Sequence, residues 1–205
     1  KTNFADTGGG TTTYYRLEVY NGEGEIVERD TCKAWSSQVQ YIDLEGGAPT
    51  DIWGRGATYS PNDASVCDMD GDGEYEIILK WSPSNEKDAA SSGTTSPEYF
   101  GCYKLNGKCL WILTGGPNMF SSAHTSSFVA WDLDGDGYGE FMIKTGHGAI
   151  DGEGNYLSVD EDPTGNYLNS RGKQVEGEEW ITVFDGVTGA ELQTIPYHTD
   201  YAAGL

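Results

Sequence analysis

Apolar and polar positions along this chain fall into short runs bounded by turn residues, and no stretch carries the longer period of an amphipathic helix. Residues 14–20 alternate and stop at Asn21-Gly22, a dipeptide suited to hairpin turns. Residues 25–31 supply the return strand, and residues 38–44 read as a third. These three strands carry charged outer faces, as one part of a small sandwich would. Residues 45–50, with Gly46, Gly47 and Pro49, mark a boundary. We therefore divide the chain into a partial β-sandwich over 1–45 and a second region over 46–205.

Beyond the boundary the apolar runs become continuous, as expected of strands buried on both faces. They fall at 64–67, 77–81, 128–131 and 141–144, with two hairpins over 99–113 and 180–195. Asn106-Gly107 and Asp185-Gly186 mark the turns of those two hairpins. In the first, the turn predicts Leu105 opposite Lys108 and Cys109 opposite Lys104. Cys102 is then only a diagonal neighbour of Cys109, so Cys32, Cys67, Cys102 and Cys109 are expected to be free thiols. The order repeats: one hairpin, then a second, twice over. Four strands per unit is the pattern of a propeller blade, so the prediction is an all-β fold with about two β-propeller blades. Two blades do not close a ring, which leaves room for further blades.

The first hairpin of each unit turns through an acidic loop. One reads Asp68-Met69-Asp70-Gly71-Asp72-Gly73-Glu74-Tyr75-Glu76. The other, 64 residues later, reads Asp132-Leu133-Asp134-Gly135-Asp136-Gly137-Tyr138-Gly139-Glu140. Carboxylates stand at positions 1, 3, 5 and 9, and glycines at 4 and 6. Alternate side chains of a tight turn converge on one point, and a hard cation such as calcium takes six to eight oxygens. The expected ligands are Asp68, Asp70, Asp72 and Glu76, with the Glu74 carbonyl. In the second copy they are Asp132, Asp134, Asp136 and Glu140, with the Tyr138 carbonyl. The closing Glu falls at position 9 rather than 12, and strands rather than helices flank the loop, so this is not an EF-hand. The plain alternative is a pair of acidic turns that bind nothing.

Charge supports that chemistry and excludes other partners. The formal net charge is -21 over 205 residues, and two calcium ions would leave -17. Nucleic acid and anionic membranes are repelled by such a surface. No apolar run is long enough to span a bilayer. The chain opens on Lys1 and shows no signal peptide, which is expected of a processed or trimmed product. In a blade the acidic loops and the long connections leave opposite ends, so the loops are expected to be structural and the other end functional.

The ordered motifs resemble polysaccharide lyase family 11, the rhamnogalacturonan lyases. They are Tyr59-Ser60-Pro61-Asn62-Asp63 running into the first loop, Lys80-Trp81 after it, Ala123-His124 before the second loop, Lys144-Thr145 after that, and Val183-Phe184-Asp185-Gly186. The resemblance runs from about residue 1 to 195. It implies an eight-bladed propeller preceded by a small fibronectin-like sandwich, of which this chain holds part. It also implies secretion or a periplasmic location, calcium, and cleavage of rhamnogalacturonan I, an acidic plant cell-wall polysaccharide, by β-elimination at galacturonosyl residues. The alternative from another class is a non-catalytic, calcium-stabilised propeller that binds carbohydrate or mediates adhesion.

Candidate residues follow from the same motifs. Asn62 is a candidate for catalysis and substrate binding, and Asp63 for holding Asn62 or calcium; an ordinary turn after Pro61 is the competing reading. We expect both in an interblade loop. His124 is a candidate ligand or general base, against a hydrogen-bonded structural histidine. Ser82 stands where the family tends to carry an acid, and Gly146-His147-Gly148 where it tends to read Ala-Asp-Gly. Ser82, Lys144 and His147 are candidates for substrate contact. Lys80 and Lys144 occupy equivalent positions, which favours a repeated structural ion pair between blades. Asp151, Asp160, Glu161 and Asp162 make either another calcium site or a solvated loop. Of Trp53, Tyr59, Trp81, Tyr99, Trp111, Trp131 and Trp180, most are expected to pack between blades.

Overall fold

A computed structural model describes residues 6–10, 12–33, 39–124 and 126–197. The chain divides into two compact units, Lys1–Ile42 and Asp43–Leu205. The first contains an antiparallel hairpin of β1 (Tyr14–Tyr20) and β2 (Ile26–Lys33). Its turn is longer than the dipeptide suggested. The Asn21 side chain accepts the backbone N–H groups of Glu23 and Glu25, and Gly24 takes the left-handed conformation that closes the turn. The expected third strand is absent from residues 39–44, and Gln38 lies outside the described residues. Its alternation of apolar and polar residues is not accompanied by strand pairing among the described residues.

The second unit holds two four-stranded antiparallel sheets, each a meander in chain order. The first is β3 (Tyr59–Cys67), β4 (Glu76–Pro83), β5 (Tyr99–Tyr103) and β6 (Cys109–Thr114). The second is β7 (Phe128–Trp131), β8 (Glu140–Gly146), β9 (Glu179–Asp185) and β10 (Glu191–Pro196). The fold is all-β, with no helix among the described residues, and the two sheets by themselves do not close a ring.

Alternating side chains send one face of each sheet into a shared core. Phe100, Cys102 and Trp111 come from the first sheet, and Ala130, Phe141 and Phe184 from the second. Phe141 is the hub, with ring centroids 5.3 Å from Phe100, 5.4 Å from Trp111 and 5.8 Å from Phe128. Each such aromatic contributes roughly 1.5–3 kcal/mol by leaving water. The first sheet also buries its other face. Tyr59, Trp81, Tyr99 and Tyr103 pack there beneath Leu44, Trp53 and Ala57. The opposite face of the second sheet leaves Val129, Trp131 and Ile195 exposed. Of the aromatics singled out above, Trp131 is the one left largely open, at 66 % exposure.

The β5–β6 turn departs from the expected register. Cys109 pairs with Tyr103, not Lys104, and Cys102 pairs with Trp111. Gly107, at φ +87°, adds a bulge residue: its N–H reaches the Lys104 carbonyl, and Lys104 N–H reaches the Lys108 carbonyl. Cys67, Cys102 and Cys109 are free thiols.

Candidate metal loops and the opposite face

Both acidic loops are built by the same backbone contacts. The position-1 carboxylate accepts the N–H of the second glycine: Asp68 from Gly73, and Asp132 from Gly137, each at 3.0 Å. The position-5 carboxylate accepts the N–H of position 7, from Glu74 to Asp72 at 2.8 Å and from Tyr138 to Asp136 at 2.9 Å. The closing glutamate reaches back to position 2, so Met69 donates to Glu76 at 2.8 Å and Leu133 to Glu140 at 2.7 Å. Gly71, at φ +70°, permits the sharp turn that a side chain would strain. The same backbone contacts thus shape both loops into cages.

The oxygens converge as a cation would require. Oxygens of Asp68, Asp70 and Glu76 lie within 4.8 Å of one another, and so do those of Asp132, Asp134 and Asp136. Asp68 Oδ1 and Asp70 Oδ1 are buried with no hydrogen-bond partner. Oxygen atoms left without a donor in this way fit a hard cation. Burial pushes the Glu76 and Glu140 carboxyls above their usual range. Of the expected ligands, Asp72 lies outside the converging set of the first loop and Glu140 outside that of the second, and the side chain of Glu74 is exposed.

The two loops touch. A side chain at Gly71 would meet the Tyr138 ring at 2.9 Å, and one at Gly139 would meet Cys67 Sγ at 2.7 Å and Met69 Sδ at 2.8 Å. The β9–β10 turn is tucked against them, with Gly186 facing the Met69 and Gly139 carbonyls. The Trp111 indole N–H donates to the Gly186 carbonyl at 2.8 Å.

Antiparallel strands send the long connections, 84–98, 115–127 and 147–178, to the other end. Side chains stitch them together. Arg55 donates to the carbonyls of Thr95 at 2.6 Å and Pro117 at 2.8 Å. Asn118 donates to the carbonyls of His147 at 3.1 Å and Gly165 at 2.9 Å, and it accepts the Tyr167 N–H at 2.9 Å. Lys173 reaches the Ala89 carbonyl at 2.8 Å.

The candidate residues are spread along this unit. Asn62 and Asp63 lie within β3, not in a connecting loop, because the β3–β4 register slips between Pro61 and Ala64. A bulge leaves two residues opposite one and turns their side chains outward. Both are exposed, on an edge strand. Ser82 is buried, and its Oγ has no hydrogen-bond partner. His124 is exposed. His147 is buried, and both ring nitrogens are engaged: one lies 2.6 Å from Asp160, and the other accepts the Glu178 N–H at 3.0 Å. That acceptor role puts the neutral ring's proton on Nδ1, facing Asp160. Tyr167 and Trp180 flank the ring. Asp160 also accepts the Gly148 N–H at 2.8 Å, so it serves as a loop clamp.

The equivalent lysines form equivalent ion pairs within each sheet, rather than between sheets. Lys80 Nζ lies 3.2 Å from Glu98, and Lys144 Nζ lies 2.5 Å from Glu179. Burial pushes the Glu98 carboxyl up to about 7, against the pull of Lys80. A small cavity beside this pair is lined by Glu98, Phe100, Gly116, Met119, Ser126 and Lys144.

Residues 41–203 match the model of rhamnogalacturonan lyase family 11, C-terminal domain. The chain belongs to that family. It is 41 % identical over 199 residues to the rhamnogalacturonan exolyase YesX of Bacillus subtilis, covering 96 % of this chain and 32 % of the relative. It is 39 % identical over 194 residues to the rhamnogalacturonan endolyase YesW of the same organism, covering 94 % and 31 %. The crystal structure of exotype rhamnogalacturonan lyase YesX superposes with a TM-score of 0.79 at 38 % identity, over 96 % of this chain and 32 % of that one. The chain spans about a third of the length of the family 11 lyases it matches.

In this family 11 chain the sequence singles out Asp160 only as a calcium ligand or solvated-loop residue, and does not single out Glu98, Glu179 or Lys104. Glu98 and Glu179 each precede the first aromatic of a second hairpin, so aligning the two hairpins would have found them. Asp160 sat inside an acidic run that offered no sign of its partner His147. Lys104 reads in the sequence only as a turn residue.

Proposed function

We propose that this chain is part of a calcium-dependent rhamnogalacturonan lyase acting on rhamnogalacturonan I. The observation that carries the reading is the family match over residues 41–203, joined to two acidic cages of the kind calcium occupies. In this reading the two meander sheets are blades of a larger propeller. The apolar face of the second sheet, with Val129, Trp131 and Ile195, is where another blade would rest. The relatives named are lyases, which favours catalysis over a binding-only propeller. An extracellular or periplasmic location follows from a substrate in plant cell walls.

β-Elimination removes the C5 proton of a galacturonosyl unit, forms the C4–C5 double bond and expels the glycosidic oxygen at C4. A calcium ion held near the sugar carboxylate would supply positive charge that favours loss of the C5 proton. In this chain Asp68, Asp70, Asp72, Glu76 and the Glu74 carbonyl would hold one calcium. Asp132, Asp134, Asp136, Glu140 and the Tyr138 carbonyl would hold another. Those two sites fix hairpin ends. Substrate is assigned to the end with the long connections, with Lys144, Asn62 and Asp63 as its candidate contacts. Asn62 offers an amide for sugar hydroxyls, and Asp63 orients it or holds a further ion. His147 is held by Asp160 and the Glu178 N–H, so its role is to shape the loop that meets the sugar. His124 is exposed and free to meet a proton.

The test uses the full-length protein with rhamnogalacturonan I, following the ultraviolet absorbance of the new unsaturated uronide. Absorbance that rises with calcium and stops with EGTA is expected. Polysaccharide binding with no such rise would replace the lyase reading with the binding module. Asn62→Ala should lower turnover or affinity, and a variant with both unchanged removes Asn62 from the site.

A further inference from the structure

We propose that Lys104 is an internal cation that competes with the divalent ion for the first acidic loop, leaving the second loop as the tighter metal site. This rests on the reading of both loops as metal cages. Lys104 Nζ lies 2.5 Å from Asp70, 2.8 Å from Asp72 and 3.5 Å from Glu76. Those three carboxylates are the ones a metal in this loop would take. The oxygens that converge in this loop are those of Asp68, Asp70 and Glu76, and Lys104 touches two of the three.

Among the described residues no lysine or arginine pairs with the second loop's carboxylates. In the first sheet Ile77 pairs with Tyr103, so the next residues, Glu76 and Lys104, stand opposite one another. In the second sheet Glu140 pairs with Asp185. The same register position thus holds a cation beside one loop and a carboxylate beside the other. Asp185 does not turn toward its loop. Its Oδ1 accepts the N–H groups of Val187 at 3.1 Å and Thr188 at 2.7 Å. The second loop keeps Asp132, Asp134 and Asp136 together instead.

An ammonium and a divalent ion cannot share carboxylates at these distances without strong repulsion. The metal must therefore displace Lys104, whose side chain is partly exposed and has room to swing outward. The ammonium does not make the first loop complete. Asp68 Oδ1 and Asp70 Oδ1 stay without a partner beside it. The first loop is consequently a weaker site held in shape by its own lysine, not a lost one.

Calorimetric titration of the metal-stripped full chain with calcium tests this. Two classes of site are expected, and Asp132→Asn or Asp134→Asn should abolish the tighter one. Lys104→Met should tighten the weaker class on the order of tenfold, as removal of one competing charge predicts. Lys104→Arg should leave it weak. A lysine that serves structure alone would lower the melting temperature of Lys104→Met without tightening calcium. Unchanged affinities in Lys104→Met, or a tight class that survives both loop-two variants, would overturn the proposal while leaving the metal reading in place. No calcium binding to either loop would remove both.

Discussion

Position for position, the two sheets repeat one plan, yet they do not treat equivalent residues alike. Lys80 is sealed at 2 % side-chain exposure, whereas Lys144 is 35 % exposed. Leu105 stands partly open in the first sheet's turn, and its counterpart Gly186 is pressed between backbone carbonyls. Lys104 faces the first acidic loop, and Asp185 takes that place beside the second. The cause is position in the stack. The first sheet is covered on both faces, by the second sheet and by residues 43–58, and the second is covered on one. A repeat fixes backbone and pairing; what lies next to each copy sets the energy of each side chain.

Calcium removal should expose the largest difference. A ligand that binds only the folded form stabilises it by about 4 kcal/mol per site at a free concentration 1,000-fold above its dissociation constant. EGTA should therefore lower the melting temperature of the chain sharply. With no lysine to stand in, the second loop should account for more of that loss. Asp132→Asn should then remove more of the calcium-dependent rise in melting temperature than Asp68→Asn does. An unchanged melt in EGTA would exclude structural calcium altogether, and equal losses would erase the asymmetry between the loops.

Much of this was legible beforehand, and the reasons are physical. The strands of the second unit were marked by continuous apolar runs, and the acidic loops by a period-two placement of carboxylates around obligatory glycines. Those are local signals. What escaped depended on groups far apart in sequence. Lys104 reaches Asp72 across a strand pair, His147 meets Asp160 through a folded connection, and Gly186 meets Met69 between sheets. Asn62 and Asp63 were expected in an interblade loop because the apolar run that marks the strand begins only at Ala64. On an edge strand a proline needs no ladder partner, so β3 runs through it and takes up the strain as a bulge. The third strand expected over 38–44 is not formed by residues 39–44, so alternation over a short stretch was not by itself a sufficient strand signal.

The turns give the next largest effect. A methyl group at Gly186 would overlap the Gly139 carbonyl oxygen and come within 2.5 Å of the Met69 carbonyl oxygen. Backbone cannot move aside as a side chain does, so Gly186→Ala should cost more than about 4 kcal/mol. Leu105→Ala, at the partly exposed counterpart, should cost roughly 1 kcal/mol. Urea unfolding of the two variants makes the comparison. Similar costs would mean that the β9–β10 turn is not wedged between the acidic loops.

The lysine pairs give the smallest expected difference and the most informative one. Removing one member of a buried pair leaves the other charge without compensation, at roughly 3–5 kcal/mol. Glu98 can relieve part of that by taking up a proton, so Lys80→Ala should fall near the lower figure. Lys144 is partly hydrated, and Lys144→Ala should cost about 1 kcal/mol or less. The pH dependence separates the two further. Burial holds the folded Glu98 carboxyl at about 7, above the 4.5 of a free glutamate side chain. The folded state therefore binds this proton more readily than the unfolded state does. Its stabilising effect is fully present below about 4.5 and is lost as pH rises through about 7. Melting temperatures of the wild type relative to Glu98→Gln should decline across that window. A flat difference would show that Lys80 fully compensates the buried carboxylate. If Lys144→Ala instead weakens polysaccharide binding while leaving the melt nearly unchanged, then the exposed copy of the pair has kept the geometry of the buried one and turned its lysine toward the sugar.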